Sequence, residues 1–287
     1  MHARYKAIIT LTYLFLLVTV LALAPEDVSS LDLEDPSLVL KMKLIQVMSV
    51  TLLFIFPTII FTLAFNHNKL LEPLRLNAAP NISILALIII MMISLFPFIG
   101  FLEQLNSHMS LPSFLSGVEA KMRSWEENAG KLTQAFTKMN SVYELCINLV
   151  VLGVMAGLAE ELFFRGLLQP LMIAWTKNKH TGIWITAILF SAMHLQFYGF
   201  LPRMVLGALM GYVFLWSGSL WVPVFTHFFH NGFSIFLKYL FDHHLLASDP
   251  DKLGADLSFT IIASFSMVIF LLRLIYKREA GSPKIRA

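Results

Sequence analysis

Long apolar runs of about 17 to 25 residues recur along the chain, and a run of this length can cross the hydrocarbon core of a bilayer as a helix. The sequence is 57% hydrophobic and only 14% charged, and its mean hydropathy is +0.73. Soluble domains carry roughly 25% charged residues. We therefore predict an all-α, polytopic membrane helix bundle in which residues 1–287 form a single membrane domain.

Eight of the apolar runs are candidate transmembrane helices. They lie at about 7–24, 44–65, 82–102, 145–170, 182–199, 203–217, 219–240 and 257–276. The first run also resembles a secretory signal peptide, because Arg4 and Lys6 precede it and Ala22-Leu23-Ala24 resembles a cleavage site. Its apolar core exceeds the roughly 7–15 residues of such signals, so we predict a retained helix.

The charges in the connections predict an orientation. The acidic segments 26–35 and 242–256 fall on one side of the membrane, and the basic residues fall on the other. The basic residues are Arg4, Lys6, Lys69, Arg75, Lys177, Lys179, Lys277, Arg278, Lys284 and Arg286. The positive-inside bias then places both termini in the cytoplasm, and the short loops indicate a prokaryotic plasma (inner) membrane. The net charge is only +3, so we expect membrane lipids rather than nucleic acid as partners.

The connection before the fourth span, residues 103–143, is long and has its own pattern. Its apolar residues recur in steps of three and four, which is typical of one face of an amphipathic helix. These residues are Leu115, Val118, Met122, Trp125, Ala129, Leu132 and Phe136. We predict a helix on the membrane surface or against the bundle. Packing is favoured over a role as a lid that gathers substrate.

Two adjacent carboxylates, Glu160 and Glu161, interrupt the apolar run at 145–170. Charged side chains at bilayer depth are costly, and they usually face a bundle interior and mark function. Residues four apart share a helix face, so Glu161 can pair with Arg165, whereas Glu160 points about 100° away. Glu161 and Arg165 are consistent with a structural ion pair. The unpaired Glu160 is a candidate general base, because burial raises a carboxylate's affinity for a proton.

Later apolar runs carry further polar side chains. His194 lies in Phe190-Ser-Ala-Met-His194, and a lone histidine of this kind often serves only as a hydrogen-bonding group between helices. His227 and Asn231 are four residues apart and share a face, so they could stabilise an oxyanion together or join helices. His230 lies on a different part of the same helix, and a direct role for it stays open.

The three motifs together resemble those of one family, the CPBP intramembrane proteases, which include type II CAAX prenyl endopeptidases and bacteriocin-processing or self-immunity (ABI) proteins. The resemblance is carried by Glu-Glu-x-x-x-Arg from Glu160 to Arg165, Phe-x-x-x-His from Phe190 to His194, and His-x-x-x-Asn from His227 to Asn231. It covers the core from about residue 145 to 235.

The resemblance implies a peptide-bond hydrolase that acts within the bilayer on membrane-associated peptides or proteins, some of them lipidated. Glu160 would activate water with the help of His194. His227 and Asn231 would stabilise the oxyanion, and Glu161 with Arg165 would support the site. The remaining spans are predicted from membrane periodicity alone.

The resemblance leaves a metal open, because the family is commonly described as metalloproteases. The chain lacks a His-Glu-x-x-His zinc helix, and Cys146 is its only cysteine. Glu160, His194 and His227 could still form a three-ligand site for a divalent metal such as Zn²⁺. We favour water activation without a metal, because Asn231 suits an oxyanion site better than a zinc sphere.

Two other classes of function remain open on the sequence. The same fold could serve as a non-catalytic membrane scaffold or regulator of the self-immunity type. Intramembrane Glu and His residues also build proton relays in transporters, but the two halves of the chain show no corresponding pair of broken spans. The sequence identifies neither the substrate nor the oligomeric state.

Overall fold

The computed structural model describes residues 3–23, 28, 31–67, 69–247 and 259–280. Nine helices and no strands are found in this part of the chain. The helices are α1 (Ala3–Leu23), α2 (Pro36–Phe65), α3 (Ile82–Ser107), α4 (Ser116–Thr137), α5 (Val142–Thr176), α6 (Lys179–Ala192), α7 (Phe200–Ser217), α8 (Trp221–Asp242) and α9 (Phe259–Ala280). The predicted all-α membrane bundle is therefore confirmed.

The predicted count of eight transmembrane helices is not confirmed. Among the described residues, five helical stretches are long and apolar enough to cross a membrane, as judged by length and composition. They are Pro36–Phe65, Ile82–Ser107, Val142–Thr176, Phe197–Ser217 and Phe259–Glu279. Helices α1, α6 and α8 are not among them. Helix α8 is long enough at 22 residues, but its histidines and asparagine reduce its apolar character.

Helix α6 is shorter than the predicted span at 182–199. It has 14 residues and ends at Ala192, so it rises only about 21 Å. Leu195, three residues later, has a φ of 54°, and this left-handed conformation ends the helix. A short 3₁₀ turn, Phe197–Gly199, then leads into α7. His194 consequently lies just beyond the end of α6, not within a continuous span.

Helix α2 begins earlier than the predicted start at residue 44. It starts at Pro36, where the side chain of Asp35 accepts a hydrogen bond from the Ser37 N–H at 2.9 Å. An aspartate before a proline in the first turn is a common helix start. Lys43 therefore lies inside the helix. The predicted span left it out, because a charged residue interrupts an apolar run.

The amphipathic helix predicted in the long connection is present as α4. None of its residues is fully buried, and the side facing away from the apolar stripe is exposed. Several contacts fix it to the bundle. The Trp125 ring stacks on Phe197 with 6.1 Å between centroids. The Tyr198 N–H also donates to the Glu126 carboxylate at 3.1 Å. The helix thus packs against the turn that follows His194.

Helix α5 forms the centre of the bundle and is not a regular α-helix. Two stretches with wider, π-type turns, Leu149–Met155 and Leu162–Leu168, flank the segment Ala156–Glu161. Such turns often occur at functional sites, because an extra residue re-aims the side chains that follow. The next helix, α6, approaches very closely: a Cβ on Gly182 would lie 2.6 Å from the backbone nitrogen of Ile173. These helices bring the polar motifs together.

Several sequence predictions concern residues outside the described part. Ala24 of the suspected cleavage site, most of segment 26–35 before residue 31, and residues 248–256 of the second acidic segment are among them. Lys284 and Arg286 also lie outside it. The predicted orientation and the single-domain assignment therefore stay predictions.

Candidate active site in the membrane bundle

Two histidine side chains, from the turn after α6 and from α8, approach one carboxylate oxygen on α5. The Oε2 atom of Glu160, on α5, lies 4.0 Å from Nε2 of His194 and 3.9 Å from Nε2 of His227. The Glu160 side chain is 14% exposed, and its Oε2 atom is buried without a hydrogen-bond partner among the described residues. A water molecule placed about 2.8 Å from Oε2 and about 2.8 Å from the Nε2 atom of either histidine would bridge that pair. The separations therefore suit a water-mediated contact.

The other ring nitrogen of each histidine has its own partner. Nδ1 of His194 lies 2.9 Å from the carbonyl oxygen of Phe190, one turn earlier. Nδ1 of His227 lies 2.8 Å from Oε1 of Glu161. A carbonyl or carboxylate oxygen can only accept, so we assign a proton to Nδ1 in both rings. Both Nε2 atoms are thereby directed at Glu160.

A fully buried ion pair lies behind His227. Arg165 donates from Nη1 to Oε1 of Glu161 at 2.9 Å, and both side chains have no solvent exposure. This is the pair that the four-residue spacing predicts. Arg165 also donates from Nη2 to the carbonyl oxygen of Gly207 on α7 at 3.0 Å. Glu161 is thus occupied by two donors, Arg165 and His227, whereas Glu160 is not.

Phe190 holds these groups in place with its ring. The ring centroid lies 4.7 Å from Cζ of Arg165, an arrangement that attracts a cation to an aromatic face. The ring also makes edge contacts with His194 at 5.2 Å and with His227 at 6.0 Å. The motif Phe-x-x-x-His therefore supplies both a carbonyl for one imidazole and a packing surface for both.

A cavity of about 280 Å³ opens beside Glu160 and His194. Helix α2 forms its opposite wall, with two polar residues, Gln46 and Ser49, among apolar ones. These two residues are not among the site residues predicted from the sequence. Their signal is that they are polar side chains inside the apolar run of α2.

Asn231 and His230 lie on α8 but outside this cluster of contacts. Asn231 donates one amide N–H to the carbonyl oxygen of Leu152, on the π-type stretch of α5, at 3.0 Å. Its second N–H remains available for another acceptor. Nδ1 of His230 is buried without a hydrogen-bond partner among the described residues, and its ring packs 5.7 Å from Phe96.

The histidines and glutamate do not fit a metal ion in this arrangement. Two ligands bound at about 2.1 Å to a tetrahedral zinc lie roughly 3.4 Å apart. The nitrogen atoms of His194 and His227 are 4.0 Å and 3.9 Å from Oε2 of Glu160. In the part of the chain that the structure describes, no group of three His, Cys, Asp or Glu residues could hold a metal ion.

The fold and these polar contacts define a multi-pass membrane protein with a buried carboxylate–imidazole site. Residues 143–233 match the family described as type II CAAX prenyl endopeptidase Rce1-like. This segment contains all three motifs, so the resemblance to the CPBP proteases is confirmed for it. The match supports a CAAX-type intramembrane protease fold.

A curated relative is the uncharacterised protein YpbD of Bacillus subtilis (strain 168). It is 29% identical to this chain over 85 residues, which are 28% of this chain and 40% of YpbD. The chain thus matches less than half the length of this relative. No solved structure matches the chain.

Proposed function

We propose that this chain is an intramembrane endopeptidase that hydrolyses peptide bonds of membrane-associated or lipidated substrates. The observation that carries the proposal is the unpartnered Oε2 of Glu160, about 4 Å from the Nε2 atoms of both His194 and His227. A carboxylate left in this position is available to take a proton from water, because no hydrogen bond from the described residues engages that oxygen.

In the proposed reaction, a water molecule lies between Glu160 and His194. Glu160 takes one proton of the water, and the resulting hydroxide oxygen attacks the carbonyl carbon of the scissile peptide bond. The carbonyl oxygen becomes an oxyanion. When the C–N bond breaks, Glu160 gives its proton to the leaving nitrogen, so the products are a new carboxyl terminus and a new amine.

His227 would stabilise the oxyanion through Nε2–H, with Asn231 supplying its second amide N–H. Since Nδ1 of His227 already donates to Glu161, a donating Nε2 makes the ring a cation. The carboxylates of Glu161 and Glu160 favour that cation, and preorganised charge of this kind is a large contribution to catalysis. Arg165 fixes Glu161 and acts only through it.

The proposed catalytic core is about residues 145–235, within a single membrane domain. We place the protein in a prokaryotic plasma membrane with both termini in the cytoplasm. The loop charges support this orientation. The apolar composition of the described helices supports the membrane location.

Comparative peptidomics of membranes tests the proposal without knowledge of the substrate. Membranes carrying the wild-type protein are compared with membranes carrying Glu160→Ala at equal expression. We expect peptides with new C termini that depend on Glu160. Identical peptide sets, together with a cellular phenotype that the variant retains, would instead favour a non-catalytic scaffold.

Removal of metals is expected to leave the activity unchanged. Purified protein is treated with EDTA and with 1,10-phenanthroline, and peptide cleavage and bound metal are then measured. We expect unchanged turnover and no stoichiometric metal, because Glu160, His194 and His227 are spaced for a water molecule. Stoichiometric zinc with chelator-sensitive cleavage would contradict this mechanism and favour these three residues as ligands.

A further inference from the structure

Two polar side chains of α2 face the cavity beside Glu160. Gln46 and Ser49 line this cavity together with Glu160 and His194, and they share one face of α2 because they are three residues apart. Gln46 lies ten residues after the start of α2, which is roughly 15 Å along the helix. Both side chains therefore lie well inside a helix that is long and apolar enough to cross a membrane.

The two side chains differ from other polar residues of the same helix. The Thr51 hydroxyl donates to the carbonyl oxygen one turn earlier at 2.7 Å, and the Thr58 hydroxyl does the same at 2.7 Å. The Gln46 amide and the Ser49 hydroxyl have no hydrogen-bond partner among the residues that the structure describes. An unpaired polar group away from water costs free energy, so these two groups require partners in the cavity.

The lining of the cavity favours a ligand that is neutral and partly apolar. Next to the two polar groups, α2 contributes the apolar side chains of Val50, Leu53 and Phe54. Neither lysine nor arginine is found among the described residues of the lining. A phosphate or a carboxylate would therefore meet the negative charge of Glu160 without a fixed cation to oppose it. A neutral amide group is free of this repulsion.

A peptide that is cut inside a membrane presents such amide groups. Its scissile bond has to be exposed, so the N–H and C=O groups around that bond lose their helical partners and need new ones. In the proposed reaction, Glu160 and His194 are engaged with the attacking water. A glutamine side chain has two N–H donors and an acceptor oxygen, and a serine hydroxyl both donates and accepts. Gln46 and Ser49 can therefore pair with both kinds of backbone group.

We infer that Gln46 and Ser49 bind the extended peptide backbone of the substrate next to the scissile bond, on the wall of the cavity opposite Glu160. The inference rests on the proposed protease function. Hydrogen bonds to the backbone are independent of the substrate sequence, whereas the apolar residues of the same wall would contact substrate side chains. Gln46 and Ser49 are thus binding residues and take no part in proton transfer.

Backbone-modified peptides test the inference. An apolar decapeptide of mixed sequence, with an N-terminal fluorophore, is made with amide bonds throughout and as a series of esters that each lack one backbone N–H. Binding is measured by fluorescence anisotropy with Glu160→Gln protein in phosphatidylcholine nanodiscs, so that no cleavage interferes. We expect esters at one or two positions to bind about three- to tenfold more weakly, as for the loss of one hydrogen bond. Gln46→Met should weaken binding of the amide peptide by a similar factor and abolish the further loss at one of these esters. Ser49→Ala should do the same at a nearby ester.

Thr51→Val is the matched control, because the Thr51 hydroxyl already bonds within α2, and it should leave every ratio of amide to ester binding unchanged. Equal binding of the amide peptide and all esters would overturn the inference. This comparison needs no variant of α2, so misfolding of such a variant cannot hide the answer. Losses from Gln46→Met and from the esters that multiply independently at every position would also overturn it. Because binding is measured without turnover, this result is separate from the peptidomics result.

Discussion

Glu160→Gln is expected to lower peptide turnover by about 10²- to 10⁴-fold, the usual contribution of a general base. The amide has almost the shape of the carboxylate, but it cannot take a proton from water. Glu160→Gln also removes a negative charge that lies about 4 Å from the Nε2 atoms of His194 and His227. The measurement is the initial rate of peptide cleavage by purified protein in proteoliposomes.

The matched control is Glu127→Gln, which makes the same chemical change on the exposed surface of α4. We expect this variant to keep the wild-type rate. Both variants should insert and purify like the wild type, as judged by membrane fractionation and size-exclusion chromatography. Full activity in the Glu160→Gln protein would eliminate the proposed mechanism.

Arg165→Met is expected to be the most destabilising single substitution in the bundle. The side chains of Arg165 and Glu161 are fully buried, and removal of one partner leaves the other as an uncompensated charge. Such changes cost about 3–5 kcal/mol. We expect a correspondingly lower midpoint in thermal or SDS-induced unfolding. Activity should also fall, because Glu161 would no longer be held beneath His227.

A second ion pair in the chain provides the control for Arg165. Arg123 and Glu119 have the same four-residue spacing, but they lie on the surface of α4. The hydrogen bond from Arg123 is the main cause that lowers the pKa of Glu119, yet solvent screens such pairs. Arg123→Met should therefore shift the midpoint far less. Equal shifts of the unfolding midpoint in the two variants would mean that burial does not determine how much an ion pair contributes to stability.

The pairing of Glu161, rather than Glu160, with Arg165 could be predicted from the sequence. The four-residue spacing assigns Arg165 to Glu161, and the structure contains this pair. Spacing along one helix cannot show contacts between helices, however. The hydrogen bond from His227 to Glu161 joins residues 66 apart in the sequence, and only the packing of α8 against α5 brings them together.

The end of α6 at Ala192 could not be predicted, because the chain turns there through a backbone conformation that its residue types do not indicate. No glycine or proline lies between Phe190 and Leu195 to mark a boundary. Leu195 nevertheless adopts a left-handed conformation with a φ of 54°. The wide turns of α5 similarly leave no signal in an apolar sequence. Both features determine where His194 and Glu160 point.

Lys43 was missed because hydropathy treats a charge as the boundary of a span. The predicted second span began at residue 44, whereas the helix starts at Pro36. Whether a lysine extends to the surface or is buried in a cavity depends on its neighbours from other helices. Here those neighbours come from α4 and α5.

Cleavage of a hydrophobic peptide library in water enriched in ¹⁸O tests most directly whether these buried groups hydrolyse peptide bonds. Purified wild-type protein in bilayers should release products whose new terminal carboxyl carries one ¹⁸O atom, and mass spectrometry should find almost none of these products with Glu160→Gln. A wild-type protein that releases no labelled product, or a variant that releases as much as the wild type, would contradict the account.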